Sequence, residues 1–376
     1  MDLLESRAEI DKIDQDIVKL FQRRMSVAKE VAEYKQQTGK KVFDKERENE
    51  KLSTLKELAD NEFNRHGIEE LFTQIMSMSR KLQYGLIPSY QDDLAFMKIS
   101  QINMENKCVV CYGEKGSYTE QAMEEYFGTD IKYFNTTTFK EVMESIKQGK
   151  AHFGVLPIEN SSTGGITDIY DLLVEYDTYI IGEHIVKVDQ NLLGVPGAKV
   201  EDIRTVYSHQ QGLLQCAQYL EEHENMTGMV YQSTAASARK VMEEQDITQA
   251  AIASKKACQQ YGLEILEESI NSESNNSTRF IIITNKRYYF SDSNKVSIYF
   301  ELPHASGTLY NMMSHFIYNN LNMTKIESRP IQGRKWEYRF FVEFEGNLED
   351  PGVKNALNGI KEEAHCCKIL GNFHTK

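Results

Sequence analysis

The sequence contains no apolar run approaching the roughly 18 residues of a membrane span, so nothing in it reads as a transmembrane helix. An apolar leader is missing too. Asp2, Glu5, Arg7, Glu9, Asp11 and Lys12 crowd the N-terminus, which reads against a signal peptide. Cysteine is scarce, with six in 376 residues. Cys108 and Cys111 sit in an apolar, strand-like run, and no second pair or nearby histidine completes a zinc set. Adjacent Cys366 and Cys367 suit neither a shared disulfide nor metal geometry. Reduced structural thiols, a cytoplasmic location and no bound metal are therefore expected. Basic charge is also short: 43 Lys and Arg against 56 Asp and Glu leave a formal net charge of −13. That argues against a nucleic-acid binder. It also means that an anionic substrate needs a locally basic pocket. No Gly-x-Gly follows the strand-like Cys108–Tyr112, which counts against a dinucleotide cofactor.

The first 38 residues lack both Pro and Gly. Within them, Leu3, Ile10, Ile13, Ile17, Leu20, Val27 and Val31 recur at helical spacing. At about 100° per residue, Arg24 and Lys35 fall inside that apolar stripe, not opposite it. Cations on the buried side of a helix are costly unless an anion meets them. One long stem can snorkel to water, but two on one line point to a buried anion site. Thr38-Gly39 should close this helix. Asp44 should cap a second, reaching about Asp60 and carrying Arg47 and Glu48. A third is expected from about Gly67 to Tyr84. Its apolar line of Ile68, Phe72, Ile75 and Met76 is continued by the polar Ser79 and Gln83.

Arg7, Arg24, Lys35, Asp44, Arg47, Glu48, Ser79 and Gln83, spaced in this way over residues 1–88, resemble the active-site set of the all-helical chorismate mutase family. The resemblance implies a Claisen rearrangement of chorismate to prephenate, with no cofactor. Such a reaction needs a dicarboxylate held in a compact near-attack shape and negative charge stabilised on the breaking ether oxygen. By the family's roles, Arg7 and Arg24 take carboxylates, Lys35 and Gln83 face the ether oxygen, and Glu48 and Asp44 hold the ring hydroxyl. Arg7 lies about 100° round the helix from Arg24, so one straight helix cannot easily aim Arg7, Arg24 and Lys35 at one ligand. The family's intertwined helical dimer, in which each site borrows this arginine from the other chain, fits that mismatch.

Residues 89–106 are polar and weakly periodic and read as a linker with room for a short helix. From residue 107 to 285, short apolar runs alternate with helical patterns, which indicates an α/β unit. The long segment Tyr179–Leu193 suggests strands crossing between two lobes with a cleft between them. Polar loops punctuate the strand ends, where α/β sites tend to lie. In order these are Glu159-Asn160 with Thr163 in a Gly- and hydroxyl-rich loop, then Ser208-His209, then Thr278-Arg279-Phe280. Together they resemble prephenate dehydratase. Gln210 stands where that family commonly has Pro. The resemblance implies loss of carbon dioxide and hydroxide from prephenate to give phenylpyruvate, with Thr278 as the essential residue assisting hydroxide departure. A threonine hydroxyl is a poor acid alone, so a relay through Glu159 or Ser208 is expected. Arg279 is either a carboxylate holder or a structural ion pair.

From residue 295 to 376 the order strand–helix–strand–strand–helix–strand is the α+β, ferredoxin-like pattern. Gly307-Thr308-Leu309 and Glu327-Ser328-Arg329-Pro330 resemble the ligand motifs of ACT domains, with Thr308 where an alanine is usual. Phenylalanine binding and feedback inhibition are what that resemblance implies. The whole is expected to be a multidomain, bifunctional enzyme of phenylalanine biosynthesis, working as a homodimer or higher homo-oligomer, with neither nucleic acid nor membrane as partner. Arogenate in place of prephenate remains an alternative for the second domain. A phenylalanine-sensing protein with inactive catalytic domains is another, against which the intact polar sets weigh.

Overall fold

The computed structural model describes residues 2–87, 96–273 and 275–374. Residues 89–95 of the expected linker lie outside the described residues. Beyond them, where a short helix had room, the chain forms a strand at Met97–Ile99. The chain forms two compact units. One joins Met1–Ala95 to Val296–Ile369, and the other joins Phe96–Lys295 to Leu370–Lys376.

Three helices open the chain: α1 (Leu3–Thr38), α2 (Lys45–Lys56) and α3 (Glu62–Leu86). Gly39 ends α1 in the left-handed conformation, φ 68°, where a side chain would be strained. Asp44 caps α2 by accepting the Arg47 N–H at 3.1 Å. α3 starts before the expected Gly67 because Asn61 caps it, taking the Asn64 N–H at 2.8 Å. The apolar stripe of α1, expected to be core, is bare in a single chain. Only Ala28 and Ala32 are buried, while Ile10, Ile13, Ile17, Leu20 and Val27 are 51–65% exposed. A helix of 36 residues is about 54 Å long at 1.5 Å per residue, more than two shorter neighbours can cover.

The second unit is two-lobed. β1 (Met97–Ile99), β2 (Cys108–Tyr112), α4 (Tyr118–Phe127), β3 (Lys132–Thr136), α5 (Phe139–Lys147), β4 (Phe153–Asn160), β5 (Gly164–Gly165), α6 (Thr167–Glu175) and β6 (Tyr179–Lys187) come first. The chain then crosses to a second sheet through β7 (Asn191–Gly194), β8 (Thr205–Ser208), α7 (Gln210–Gln215), α8 (Ala217–Glu222), β9 (Thr227–Val230), α9 (Thr234–Glu244), β10 (Gln249–Ala253), α10 (Lys255–Tyr261) and β11 (Glu264–Glu267). β12 (Ser277–Thr284) returns to the first sheet, and β13 (Tyr288–Phe290) pairs with β1. The sheet orders are β6-β12-β4-β2-β3 and β11-β7-β10-β8-β9. Each lobe has its own core, one around Val109, Val155, Ile181 and Ile282, the other around Leu192, Val206 and Ile252. The segment between β6 and β7 therefore links the lobes, as the sequence suggested.

Two strands run further than expected, and both carry candidate site residues. β4 continues through Pro157 to Asn160, and β12 begins at Ser277. Proline is tolerated because Pro157 faces Phe280 at a register shift, where its missing N–H breaks no regular ladder. The antiparallel pairing then sets Thr278 opposite Asn160 and Arg279 opposite Glu159.

β14 (Lys295–Glu301), α11 (Thr308–Tyr318), β15 (Met323–Pro330), β16 (Tyr338–Glu345), α12 (Pro351–Glu363) and β17 (Cys366–Phe373) follow in the expected β-α-β-β-α-β order. Their strand order is β15-β16-β14-β17. Among the described residues no helix is long and apolar enough to cross a membrane.

Candidate functional sites

A cavity of about 500 Å³ opens between α1, α2 and α3, within the range of small-ligand sites. Arg24, Lys35, Asp44, Arg47, Glu48, Ser79 and Gln83 all line it. Arg7, the remaining member of the expected set, does not. It is exposed and 17 residues before Arg24 on α1, about 25 Å along the axis. Five cations (Arg24, Lys35, Arg47, Lys51, Arg80) and three carboxylates (Asp44, Glu48, Glu50) line the cavity. It is thus a basic spot in a chain of net charge −13.

Its side chains are held from several sides. Arg24 donates to Ser79 Oγ, and to Ile75 O at 3.3 Å. Lys35 Nζ donates to Val42 O at 2.7 Å. Gln83 Nε2 donates to Ser79 O at 3.1 Å. Among the described residues its buried Oε1 has no partner, an unmet acceptor that a ligand hydroxyl could fill. Burial lowers the Arg24 guanidinium from its ordinary value, with Glu48 pulling the other way. Burial likewise lowers the Lys35 ammonium, against Glu362, Asp44 and Glu48, which favour its charged form. Sequence reasoning missed Arg80. Buried and stacked over Phe43, it donates to Glu48 and lies 2.8 Å from Glu363 Oε1. Burial opposes its charge, and Glu363 and Glu48 more than restore it, so its pKa is raised.

In the α/β unit Asn160 is the hub. Its Nδ2 donates to Thr278 Oγ1 at 2.9 Å, to Asn276 Oδ1 at 2.8 Å and to Ser277 O at 3.2 Å. Its Oδ1 takes the N–H groups of Ser162 and Thr163 at 3.0 and 3.2 Å, which folds the exposed loop around Thr163. Because Asn160 occupies a lone pair of Thr278 Oγ1, the hydroxyl's own proton is left to point elsewhere. A cavity of about 200 Å³ between the lobes is lined by Ser162, Gln211, Leu214, Gln215, Asn271, Ser272, Glu273 and Asn276. Asn276 was also missed as a site residue. It is 1% exposed, and its Nδ2 has no partner among the described residues.

The expected relay residues are placed otherwise. Ser208 is fully buried and donates to Ile252 O at 2.8 Å, so its hydroxyl is used inside the second sheet. Glu159 lies 3.1 Å from Arg279 Nη2. Arg279 also meets the buried Glu183 at 2.8 Å, and Lys295 binds that same carboxylate. Arg279 is thus ion-paired on two sides, with Glu159 and Glu183. His209 caps α7, taking the Gln211 N–H at 3.3 Å. Gln210 is the first residue of α7, the position where proline is favoured but not required, so its departure leaves the helix intact.

In the C-terminal segment Gly307 precedes α11 with φ 76°. Thr308 Oγ1 bonds Pro303 O at 3.1 Å and Ala305 O at 3.0 Å, which absorbs the extra hydroxyl at this position. Leu309 follows in the first turn. Glu327 to Pro330 end β15, with Glu327 and Arg329 half-buried and Ser328 and Pro330 exposed.

A helical segment with a basic pocket, followed by a two-lobed α/β unit with a polar cleft, makes the chain a fusion of two modules, each with its own candidate site. Residues 6–84 match the chorismate mutase type II family and residues 109–288 the prephenate dehydratase family. The bifunctional chorismate mutase/prephenate dehydratase of Aquifex aeolicus is 31% identical over 99% of this chain and 98% of its own length. That of Escherichia coli is 30% identical over 99% and 96%. This chain belongs to that bifunctional family. Among solved structures, the prephenate dehydratase of Arthrobacter aurescens in complex with L-Phe is similar. It is 28% identical with a TM-score of 0.66, and the likeness covers 71% of this chain and 89% of that one. GqqA, described as a novel type of quorum quenching acylase, is 27% identical with a TM-score of 0.67, over 72% and 98% of the two chains.

Proposed function

We propose that the α1–α3 cavity binds chorismate and that the interlobe cleft, whose lining residue Asn276 is joined to Thr278 through Asn160, turns the resulting prephenate into phenylpyruvate. The observation that carries the first half is the convergence of seven expected polar residues on one basic cavity. Arg24 and Arg47 take carboxylates, Lys35 and the second N–H of Gln83 Nε2 address the ether oxygen, and Glu48 and Asp44 hold the ring hydroxyl. Arg7 comes from a second copy. Its distance along α1 and the bare apolar stripe beside it support an intertwined homodimer. In the α/β unit Thr278 donates toward the departing hydroxyl. Asn160, not Glu159 or Ser208, sets the direction of its proton. The unpaired Asn276 amide offers a carboxylate a donor.

The C-terminal segment has the strand order of a ferredoxin-like fold, and we read it as an ACT domain that takes phenylalanine at Gly307–Leu309 and Glu327–Pro330. The L-Phe complex of the similar dehydratase supports this effector. The test is an assay on chorismate without nicotinamide, with and without phenylalanine. Lys35→Ala should abolish prephenate formation yet still convert added prephenate, and Thr278→Ala should do the reverse. Equal loss of both activities in either variant would contradict separate sites. An unchanged phenylpyruvate rate with phenylalanine present would remove the effector reading.

A further inference from the structure

Two consecutive carboxylates close α12: Glu362 and Glu363. Anions at a helix C-terminus oppose the helix dipole, so their placement needs partners elsewhere, and the partners are in the helical segment. Glu362 Oε2 accepts the Phe43 N–H at 2.7 Å, and Oε1 accepts the Val42 N–H at 3.3 Å. Tyr84 Oη donates to the same carboxylate at 3.2 Å. Val42 is the residue whose carbonyl receives Lys35, and Asp44 follows one residue after Phe43. Glu363 holds Arg80 through two contacts, 2.8 Å to Nε and 3.4 Å to Nη2, while Arg80 Nη1 reaches Glu48. Each carboxylate therefore sits one residue behind a charged group of the cavity.

We propose that Glu362 and Glu363 are positioning residues of the chorismate pocket: Glu363 orients Glu48 through Arg80, and Glu362 fixes the Val42–Phe43 segment that anchors Lys35. This rests on reading that cavity as the mutase site. The C-terminal segment is then a structural part of the mutase as well as an effector domain. The geometry explains why Arg80 is buried at all. A guanidinium buried beside a single carboxylate leaves donors unmet, whereas two carboxylates from opposite sides use its planar fork. Asn355 and Ser314 reinforce the same contact. Asn355 donates to Lys81 O at 2.8 Å, and Ser314 Oγ accepts from Lys81 at 2.7 Å. Gly359 lets α12 approach His315, since a Cβ there would lie 2.3 Å from the ring. The charges facing Lys35 are Asp44, Glu48 and Arg47 from α2 and its cap, and Glu362 from α12.

Glu362→Gln and Glu363→Gln in the full chain test this. Mutase activity is read as loss of chorismate, and dehydratase activity on added prephenate in the same preparation. The expected result is a fall in mutase kcat/KM of roughly 10- to 100-fold, the size expected when reacting groups shift by about an ångström. Dehydratase turnover stays unchanged. Glu363→Asp keeps the charge and should lose less than Glu363→Gln. In Glu362→Gln the alkaline limb of the mutase pH profile should move to lower pH, because Lys35 loses an anion that favours its charged form. Wild-type mutase parameters in both Gln variants would overturn the proposal. So would a parallel loss of both activities, which general destabilisation explains without any positioning role. A wild-type chain with dehydratase but no mutase activity would instead sink the pocket assignment itself.

Discussion

Asn160→Asp is the sharpest probe of the dehydratase site because it is nearly isosteric and reverses one hydrogen-bonding group. The wild-type Nδ2 faces three acceptors: Thr278 Oγ1 at 2.9 Å, Asn276 Oδ1 at 2.8 Å and Ser277 O at 3.2 Å. An aspartate oxygen in that place cannot donate to any of them. Thr278 can respond by turning its own proton to the new carboxylate, and Asn276 by rotating its unpaired amide nitrogen inward. The Ser277 carbonyl is left facing an anion. One unmet buried contact costs about 1–3 kcal/mol, which a unit with two cores should survive. The catalytic loss is larger. A hydroxyl committed to a charge-assisted bond no longer donates to a leaving group, and a positioned proton donor contributes about 10²–10⁴ in rate. That corresponds to roughly 3–5 kcal/mol at 1.36 kcal/mol per decade. Dehydratase kcat should fall by at least about 100-fold, while the mutase rate on the same sample holds.

Two further readouts separate this from general damage. Lowering the pH should restore part of the Asn160→Asp activity, since a protonated carboxyl can again donate to Thr278. Asn160→Ala removes the donor without adding a competing acceptor and should lose less than Asn160→Asp. An Asn160→Asp kcat near wild type beside an inactive Thr278→Ala would mean that Asn160 does not set the direction of the Thr278 proton.

Other expectations follow from the same geometry. Arg7→Ala and Lys35→Ala chains, each without mutase activity, should recover about a quarter of the wild-type rate when unfolded together and refolded. Random pairing makes half the dimers mixed, with one intact site in each; no recovery would place Arg7 in its own chain's site. Lys81 is buried in the folded protein, and that burial lowers its pKa to about 8. Between pH 8 and the ordinary lysine value near 10.4, the unfolded chain binds more protons than the folded one, so stability rises with pH there. The urea midpoint of the wild type should therefore climb from pH 8 to 9.5 more steeply than that of Lys81→Gln; equal slopes would show that Lys81 titrates normally.

Much of the α1–α3 cavity was legible because its signal is local. Arg24 and Lys35 interrupt one apolar stripe, Ser79 and Gln83 interrupt another, and Asp44 caps the helix that carries Glu48. Each violation can be read within a few turns of one helix. The β-α-β-β-α-β order was legible for a similar reason, since it depends only on the succession of short elements. The candidate site around Thr278 was legible as loops but not as chemistry. Whether Ser208 faces a ligand or Ile252 O, and whether Arg279 holds a substrate or Glu183, depends on strand register across more than 40 residues of sequence.

Arg80 shows where local reading stops and what it leaves behind. It follows Ser79 directly and carries no periodic oddity of its own, so nothing within α3 marks it. Its second partner, Glu363, stands 283 residues away. Yet that partner did break a local rule. Glu362 and Glu363 place two anions in the last turn of α12, where cations are favoured by about 0.3–1 kcal/mol each. The stripe of α1 is the opposite case. Its apolar residues obey every helical rule and are still exposed in one chain. A violated local rule thus pointed to a partner elsewhere in this chain, while a satisfied rule with nothing to cover it points to a partner outside it.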